Sequence, residues 1–233
     1  YDAGQYPQFA VTVDVVILTI VGDELQVLLV RRRDDPYKGM WALPGGFKRP
    51  DETLAEAAAR ELHEETGVQA ATLLSEFGAY GDPGRDPRMN VVSIGFLAVV
   101  RDVGDLGAGT DAESASLFPV AEVLGGEVEL AFDHDKIVRD AVDRARRDLE
   151  TTSLATAFIG PTFTLRNLRN VFEAVWETEL DAANFHRTVT RAGLVKPTGM
   201  RAAPGPSGGK PAEEFEFGDD WQAAPMRRPR QSD

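Results

Sequence analysis

Residues 46–68 read Gly46-Phe-Lys-Arg-Pro-Asp-Glu52-Thr-Leu-Ala-Glu-Ala-Ala-Ala-Arg60-Glu61-Leu62-His63-Glu64-Glu65-Thr66-Gly67-Val68. Residues 53–66 carry a helical pattern with Gly67 just past its end. Within it Glu61, Glu64 and Glu65 are spaced i, i+3, i+4, so all three project from one side. Three like charges crowded together repel unless a cation sits among them. Acidic oxygen ligands suit Mg2+ or Mn2+, which keep waters and share phosphate oxygens with a substrate. Arg60 can pin one carboxylate, and Glu52 sits at the helix start, where the dipole favours negative charge. The opposite side, Leu54, Ala58 and Leu62, is small and apolar and suits packing on a sheet. Taken alone, the three glutamates also fit a solvated acidic helix face.

Outward from this helix the chain alternates strand and helix signals. Residues 9–21 and 24–31 are β-branched and leucine-rich runs joined across Gly22-Asp23, a hairpin signal. A loop with Pro36, Gly39, Pro44, Gly45 and Gly46 leads into the helix. Residues 72–80 and 90–100 are strand-like and flank a polar, turn-rich loop, Gly81-Asp-Pro-Gly-Arg85-Asp-Pro-Arg88. Residues 134–149 read as a further helix with Val138, Ala141, Val142 and Ala145 on one face. Arg32, Arg85 and Arg88 are of the type that forks onto phosphates, and Trp41, Phe47 or Phe132 could stack a base. A solvated loop and core packing are the plainer uses of those residues. His134 suits a helix cap better than catalysis.

With 233 residues, 42% hydrophobic and 27% charged, the chain has room for one large domain or two modest ones around a real core. The absence of cysteine rules out disulfides, thiolate metal sites and a cysteine nucleophile. The longest apolar run, residues 9–21, is interrupted by Asp14 and two threonines and is too short and polar to span a bilayer. No signal-peptide pattern is visible, which leaves targeting partly open; no membrane partner and a cytoplasmic, nucleoid-associated location are the expectations. The net charge of −13 looks hostile to nucleic acid, yet residues 155–233 hold ten Lys/Arg against ten Asp/Glu. Residues 1–154 therefore carry the whole −13, which suggests two modules with different partners.

The second module begins near Gly160-Pro161. Helices are expected over 164–176, capped by Thr164 with Leu165, Leu168, Phe172 and Val175 inward, and over 182–192, capped by Asp181 with Phe185, Val189 and Ala192 inward and Gly193 at its end. The outer face of the second helix carries Asn184, Arg187, Thr188 and Arg191, side chains that reach bases and phosphates. Residues 195–199 with Lys196, Arg201 and Lys210 read as a hairpin with a flexible basic tip, closed by a strand at 214–217. Residues 182–212 hold five Lys/Arg and no acid. Helix, turn, helix and basic hairpin describe a winged helix-turn-helix, with a structural helical appendage as the alternative.

The helix segment resembles the Nudix box, G-x5-E-x7-R-E-U-x-E-E-x-G-U, with Gly46, Glu52, Arg60, Glu61, Leu62, Glu64, Glu65, Gly67 and Val68 in fixed register. Trp41-Ala-Leu-Pro-Gly-Gly-Phe47, the 81–88 loop and Ala131-Phe-Asp-His134 resemble ADP-ribose-type Nudix proteins. Joined to residues 163–175 and 185–194, they make the chain similar, over roughly residues 9–217, to the NrtR family of Nudix-related regulators of bacterial NAD metabolism. The resemblance implies an α/β (α+β) Nudix fold, a mixed sheet between helices, over 1–154, then a winged helix-turn-helix domain over 155–217; residues 218–233 read as a disordered tail. It implies Mg2+ (or Mn2+) held by Glu61, Glu64 and Glu65, with Glu64 and Glu65 as the catalytic carboxylates where hydrolysis occurs. A nucleotide site is expected at Arg32, Trp41, Gly45, Gly46, Phe47, Arg85, Arg88 and Phe132, and a DNA surface at Asn184, Arg187, Thr188, Arg191, Lys196, Arg201 and Lys210. The function implied is a homodimeric transcriptional regulator, a repressor, that binds a palindromic operator and senses ADP-ribose or a related nucleotide. Several members of that family have decayed boxes, whereas this one is intact, so Mg2+-dependent ADP-ribose pyrophosphatase activity stays open. A pyrophosphatase with an accessory domain and a sugar-sensing regulator on the same architecture are the alternatives.

Overall fold

β1 (Ala10–Val21) is apolar along most of its length, and Val13, Val15 and Ile17 on one face and Val16 and Leu18 on the other are all fully buried. A strand buried on both faces belongs inside a sheet covered on both sides. The computed structural model, which describes residues 2–68, 71–104, 114–202, 211–218 and 226–229, places it there. β2 (Glu24–Arg31) flanks β1, and β3 (Trp41–Ala42) pairs antiparallel with β2. β4 (Gly45–Phe47) pairs antiparallel with β1. After α1 (Leu54–Thr66), β5 (Leu73–Tyr80) pairs antiparallel with β6 (Val91–Val99), which lies parallel to β1 from Ala10↔Val91 to Leu18↔Val99. β7 (Ala115–Pro119) closes on β2, and α2 (Val120–Gly125) and α3 (His134–Thr151) follow. The sheet is mixed and seven-stranded, ordered β3-β2-β1-β6-β5 with β4 and β7 off that path.

The face of β1 bearing Val13, Val15 and Ile17 packs with Leu28, Val30, Phe96 and Ala98 against Ala57, Ala58 and Leu62 of α1. α1 starts at a capping box, in which Thr53 Oγ1 accepts from Glu56 N–H and the Glu56 carboxylate accepts from Thr53 N–H. It ends at Gly67, whose φ of 75° is the left-handed turn that favours glycine.

The chain forms two compact units, Tyr1–Thr19 with Gln26–Ala141, and Ile20–Leu25 with Val142–Asp233. The second unit contains α4 (Ala155–Phe158), β8 (Thr162–Phe163), α5 (Leu165–Trp176), α6 (Ala182–Arg191), β9 (Val195–Arg201) and β10 (Glu213–Phe217). Its sheet is ordered β8-β10-β9, all antiparallel, so β9 and β10 form the wing. α5 opens on a Thr164–Asn167 capping box and α6 on Asp181, whose side chain accepts from Asn184 N–H at 2.8 Å. Leu168, Phe172, Val175, Trp176, Phe185 and Val189 are buried, with Phe172 edge-on to both Trp176 and Phe185. Leu165 is only half-buried, and Ala192, expected on the inner face, is exposed because the chain turns there. Of residues 218–233, Gly218 and 226–229 are described; Arg228 Nη2 donates to the Trp176 carbonyl at 2.9 Å. Among the described residues no helix is long and apolar enough to cross a membrane.

Candidate functional site

Arg60 organises the acidic face of α1. Its Nε and Nη2 fork onto Glu52 at 2.9 and 2.7 Å, Nη1 reaches Glu61 at 2.6 Å and Glu64 at 3.1 Å, and Nη2 also donates to the Phe47 carbonyl. The Arg60 fork and the Arg49 N–H push the Glu52 carboxyl down to about 2. Burial moves Glu61 the other way, above the ordinary carboxylate range, against the pull of Arg60. Glu65 Oε2 accepts from Gly45 N–H at 2.9 Å, and Arg49 stands 3.5 Å from Glu64.

β4 carries the glycines that let the backbone approach this helix. A Cβ on Gly46 would lie 2.3 Å from Glu61 Oε1, and one on Gly45 would lie 2.2 Å from the Val13 carbonyl. Gly45 therefore excludes any side chain, whereas one at Gly46 would have to displace the Glu61 carboxylate.

Beside β4 opens a cavity of about 180 Å³ lined by Thr12, Asp14, Arg32, Leu43, Gly45, Gly46, Phe47, Arg85, Asp86, Arg88, Phe132 and His134. Seven of the eight residues expected at a nucleotide site are brought together here. Trp41 is not among them; its ring packs edge-on against Phe118 at 4.9 Å, the ordinary fate of a half-buried aromatic. Arg32 lies 4.7 Å over the Phe132 ring, and Arg88 lies 5.9 Å from that ring and 5.7 Å from Phe47. Burial first, and then the nearby Arg88 charge, lower the Arg32 pKa, while Asp86, Glu65 and Asp34 pull the other way. Phe132 holds φ at 56°, a left-handed backbone at a non-glycine residue, and such strain is sustained where surrounding contacts fix it.

A largely buried network that the sequence did not reveal forms part of the cavity wall. Asp14, noted only as an interruption in an apolar strand, accepts from Ser93 Oγ at 2.6 Å and from Arg85 Nη2 at 3.3 Å. Arg85 forks onto Asp133 at 2.6 and 3.1 Å. His134 does not cap a helix with its side chain: Nδ1 accepts from Leu43 N–H at 2.8 Å, which leaves the proton on Nε2, 3.5 Å from Asp14 Oδ1. Burial holds the imidazole below its ordinary pKa despite Asp14 and Asp133. Asp86 pairs with Arg88 at 2.7 Å. The one available signal was an aspartate inside a β-branched run; its partners lie 71 to 120 residues away along the chain.

In the second unit Asn184, Arg187, Thr188 and Arg191 are all exposed along α6, and Arg187 Nη2 donates to Asn184 Oδ1 at 2.7 Å. Lys196 and Arg201 are exposed at the two ends of β9, and Lys210 lies outside the described residues. An outer helix face of amides and guanidiniums beside a wing is a groove-reading arrangement.

Comparison with known proteins agrees with both halves. Residues 10–141 match the NUDIX domain and residues 155–217 the NrtR DNA-binding winged helix domain. The "ADPR responsive transcriptional repressor NtrR" of Acinetobacter baylyi is 30% identical over 219 residues, covering 93% of this chain and 85% of the relative. An ADP-ribose pyrophosphatase of Methanocaldococcus jannaschii is 44% identical over 126 residues, 54% of this chain and 71% of the relative. Shewanella oneidensis NrtR, solved in complex with a 27mer DNA, superposes with a TM-score of 0.75 at 27% identity, covering 94% of this chain and 98% of that one. A Nudix sheet with its box helix, followed in one chain by a winged helix of this type, makes the protein a member of the NrtR family.

Proposed function

We propose that the protein is a transcriptional repressor that holds operator DNA through α6 and the β9–β10 wing and releases it when ADP-ribose, or a related nucleotide, fills the cavity beside α1. The observation that carries this reading is the presence in one chain of two arginines over aromatic rings in one cavity and of an exposed, acid-free helix beside a wing. Arg32 and Arg88 would take the phosphates, and Phe47, 45% exposed, is the ring with a face available to a base. Asn184, Arg187, Thr188 and Arg191 would read the groove, with Lys196 and Arg201 on phosphates. A homodimer presenting two such helices would bind a palindromic site on the cytoplasmic nucleoid, and an ADP-ribose sensor would suit genes of NAD metabolism. The repressor and DNA-bound structure among its relatives support the reading.

Nudix proteins generally use divalent cations, and we assign Mg2+ or Mn2+ to Glu61, Glu64 and Glu65. The donor chemistry fits: three carboxylates share a face, and Glu65 is anchored on Gly45. Among the described residues no three acidic or imidazole groups already converge, because Arg60 draws Glu61 and Glu64 to itself. A bound cation would supply charge neutralisation at a pyrophosphate and a polarised water. The complete box and the pyrophosphatase relative favour a second reading, ADP-ribose hydrolysis with Glu64 or Glu65 as base, which can coexist with the first. Calorimetry with ADP-ribose, NAD and arabinose tests the effector. Heat from ADP-ribose is expected, and heat from the sugar alone would overturn the nucleotide assignment.

A further inference from the structure

We infer that Arg85 is a positioning residue rather than a ligand contact, and that it ties occupancy of the cavity to α3. The inference rests on the repressor reading. The Arg85 side chain is 6% exposed and already divided between Asp133 and Asp14, so two carboxylates offset its charge. Arg88 is 42% exposed with Asp86 as its carboxylate partner. What Arg85 grips is the start of α3. Asp133 precedes the helix, and its carbonyl accepts from Lys136 and Ile137 N–H. His134, the first helical residue, is fixed beside it by Leu43 and faces Asp14. The 81–88 loop and the first turn of α3 are thus joined by charged, buried contacts.

α3 continues for 18 residues, about 27 Å at 1.5 Å per residue, and is shared by both compact units, which divide between Ala141 and Val142. In the second unit Val142, Ala145 and Leu149 are buried, Arg146 Nε donates to the Val175 carbonyl at 3.1 Å, and the Arg146 carbonyl accepts from Trp176 Nε1 at 3.2 Å. One helix, residues 134–151, therefore gives its first turns to the first unit and the rest, Arg146 included, to the second. When Arg88 exchanges Asp86 for a phosphate, the loop that carries both arginines shifts, and Arg85 passes the shift to Asp133 and α3.

The test uses the full chain as wild type, Asp133→Asn, Arg85→Lys and Arg88→Ala. DNA affinity is measured with and without saturating ADP-ribose, and ADP-ribose affinity is measured separately. Asp133→Asn should bind ADP-ribose and DNA within about threefold of wild type, while the ADP-ribose-induced loss of DNA affinity shrinks at least fivefold or so. Arg85→Lys, which keeps the charge and loses the fork, should show the same lost response. Arg88→Ala should weaken ADP-ribose binding itself at least tenfold or so, yet respond fully once saturated. A wild-type response in Asp133→Asn and Arg85→Lys would overturn the inference alone, as would a loss of ADP-ribose affinity in Arg85→Lys equal to that of Arg88→Ala. A wild type whose DNA affinity ignores ADP-ribose would overturn the repressor reading with it.

Discussion

His134 is a neutral imidazole sealed between Leu43 and Asp14, and burial keeps its pKa below the ordinary 6.5. The folded chain refuses a proton that the unfolded chain accepts, so this group's stabilisation is complete above about pH 6.5 and is lost progressively as pH falls below it. Urea unfolding of wild type and His134→Gln between about pH 8 and pH 5 should show the wild type declining more steeply. Parallel profiles would count against a buried neutral histidine. Glu65 joins the box helix to Gly45, and Glu65→Gln removes a carboxylate from the cation site. Mn2+ affinity should fall about tenfold or more, and any Mg2+-dependent release of AMP should disappear, as read by calorimetry and product analysis. At this scale the box glutamates were legible because their meaning lies in spacing along one helix. Asp14, Ser93 and Asp133 were not, since each acquires its role from a partner dozens of residues away that only the sheet brings near.

Among elements, α5 and α6 were legible from their caps, because Thr164 and Asp181 act on the backbone three residues ahead, and α1 from its helical pattern and the Gly67 that ends it. β7, α2 and β8 were not read. β8 is two residues long, and β7 shows five half-buried residues without the alternation that marks a strand. On the proposed reading DNA recognition rests on α6. Arg187→Ala should cost roughly 1–3 kcal/mol of DNA binding and relax preference at one base position if the side chain reads a base edge. Lys196→Ala should weaken all sequences alike and lower the salt slope by about one, as a phosphate contact does. Fluorescence anisotropy across a salt series separates the two. An Arg187→Ala variant with unchanged affinity and preference would remove α6 from the interface.

For the whole molecule, charge is distributed as the two roles require. Residues 1–154 carry all of the net −13 and residues 155–233 none of it, so DNA binding must rely on a locally basic surface and should weaken steeply with salt. The division into an acidic nucleotide-type half and a neutral helix-wing half was legible from composition and patterning. The sharing of α3 between the two compact units was not, because its apolar stripe runs without a break from Ile137 to Leu149. The most direct measurement is the affinity of the full chain for its footprinted DNA site as ADP-ribose is titrated in. The DNA dissociation constant should rise at least fivefold or so at saturation, within the usual range of coupling between two sites. A dissociation constant that stays fixed while calorimetry shows the cavity filled would contradict a ligand-responsive repressor and leave the Nudix half as an enzyme alone.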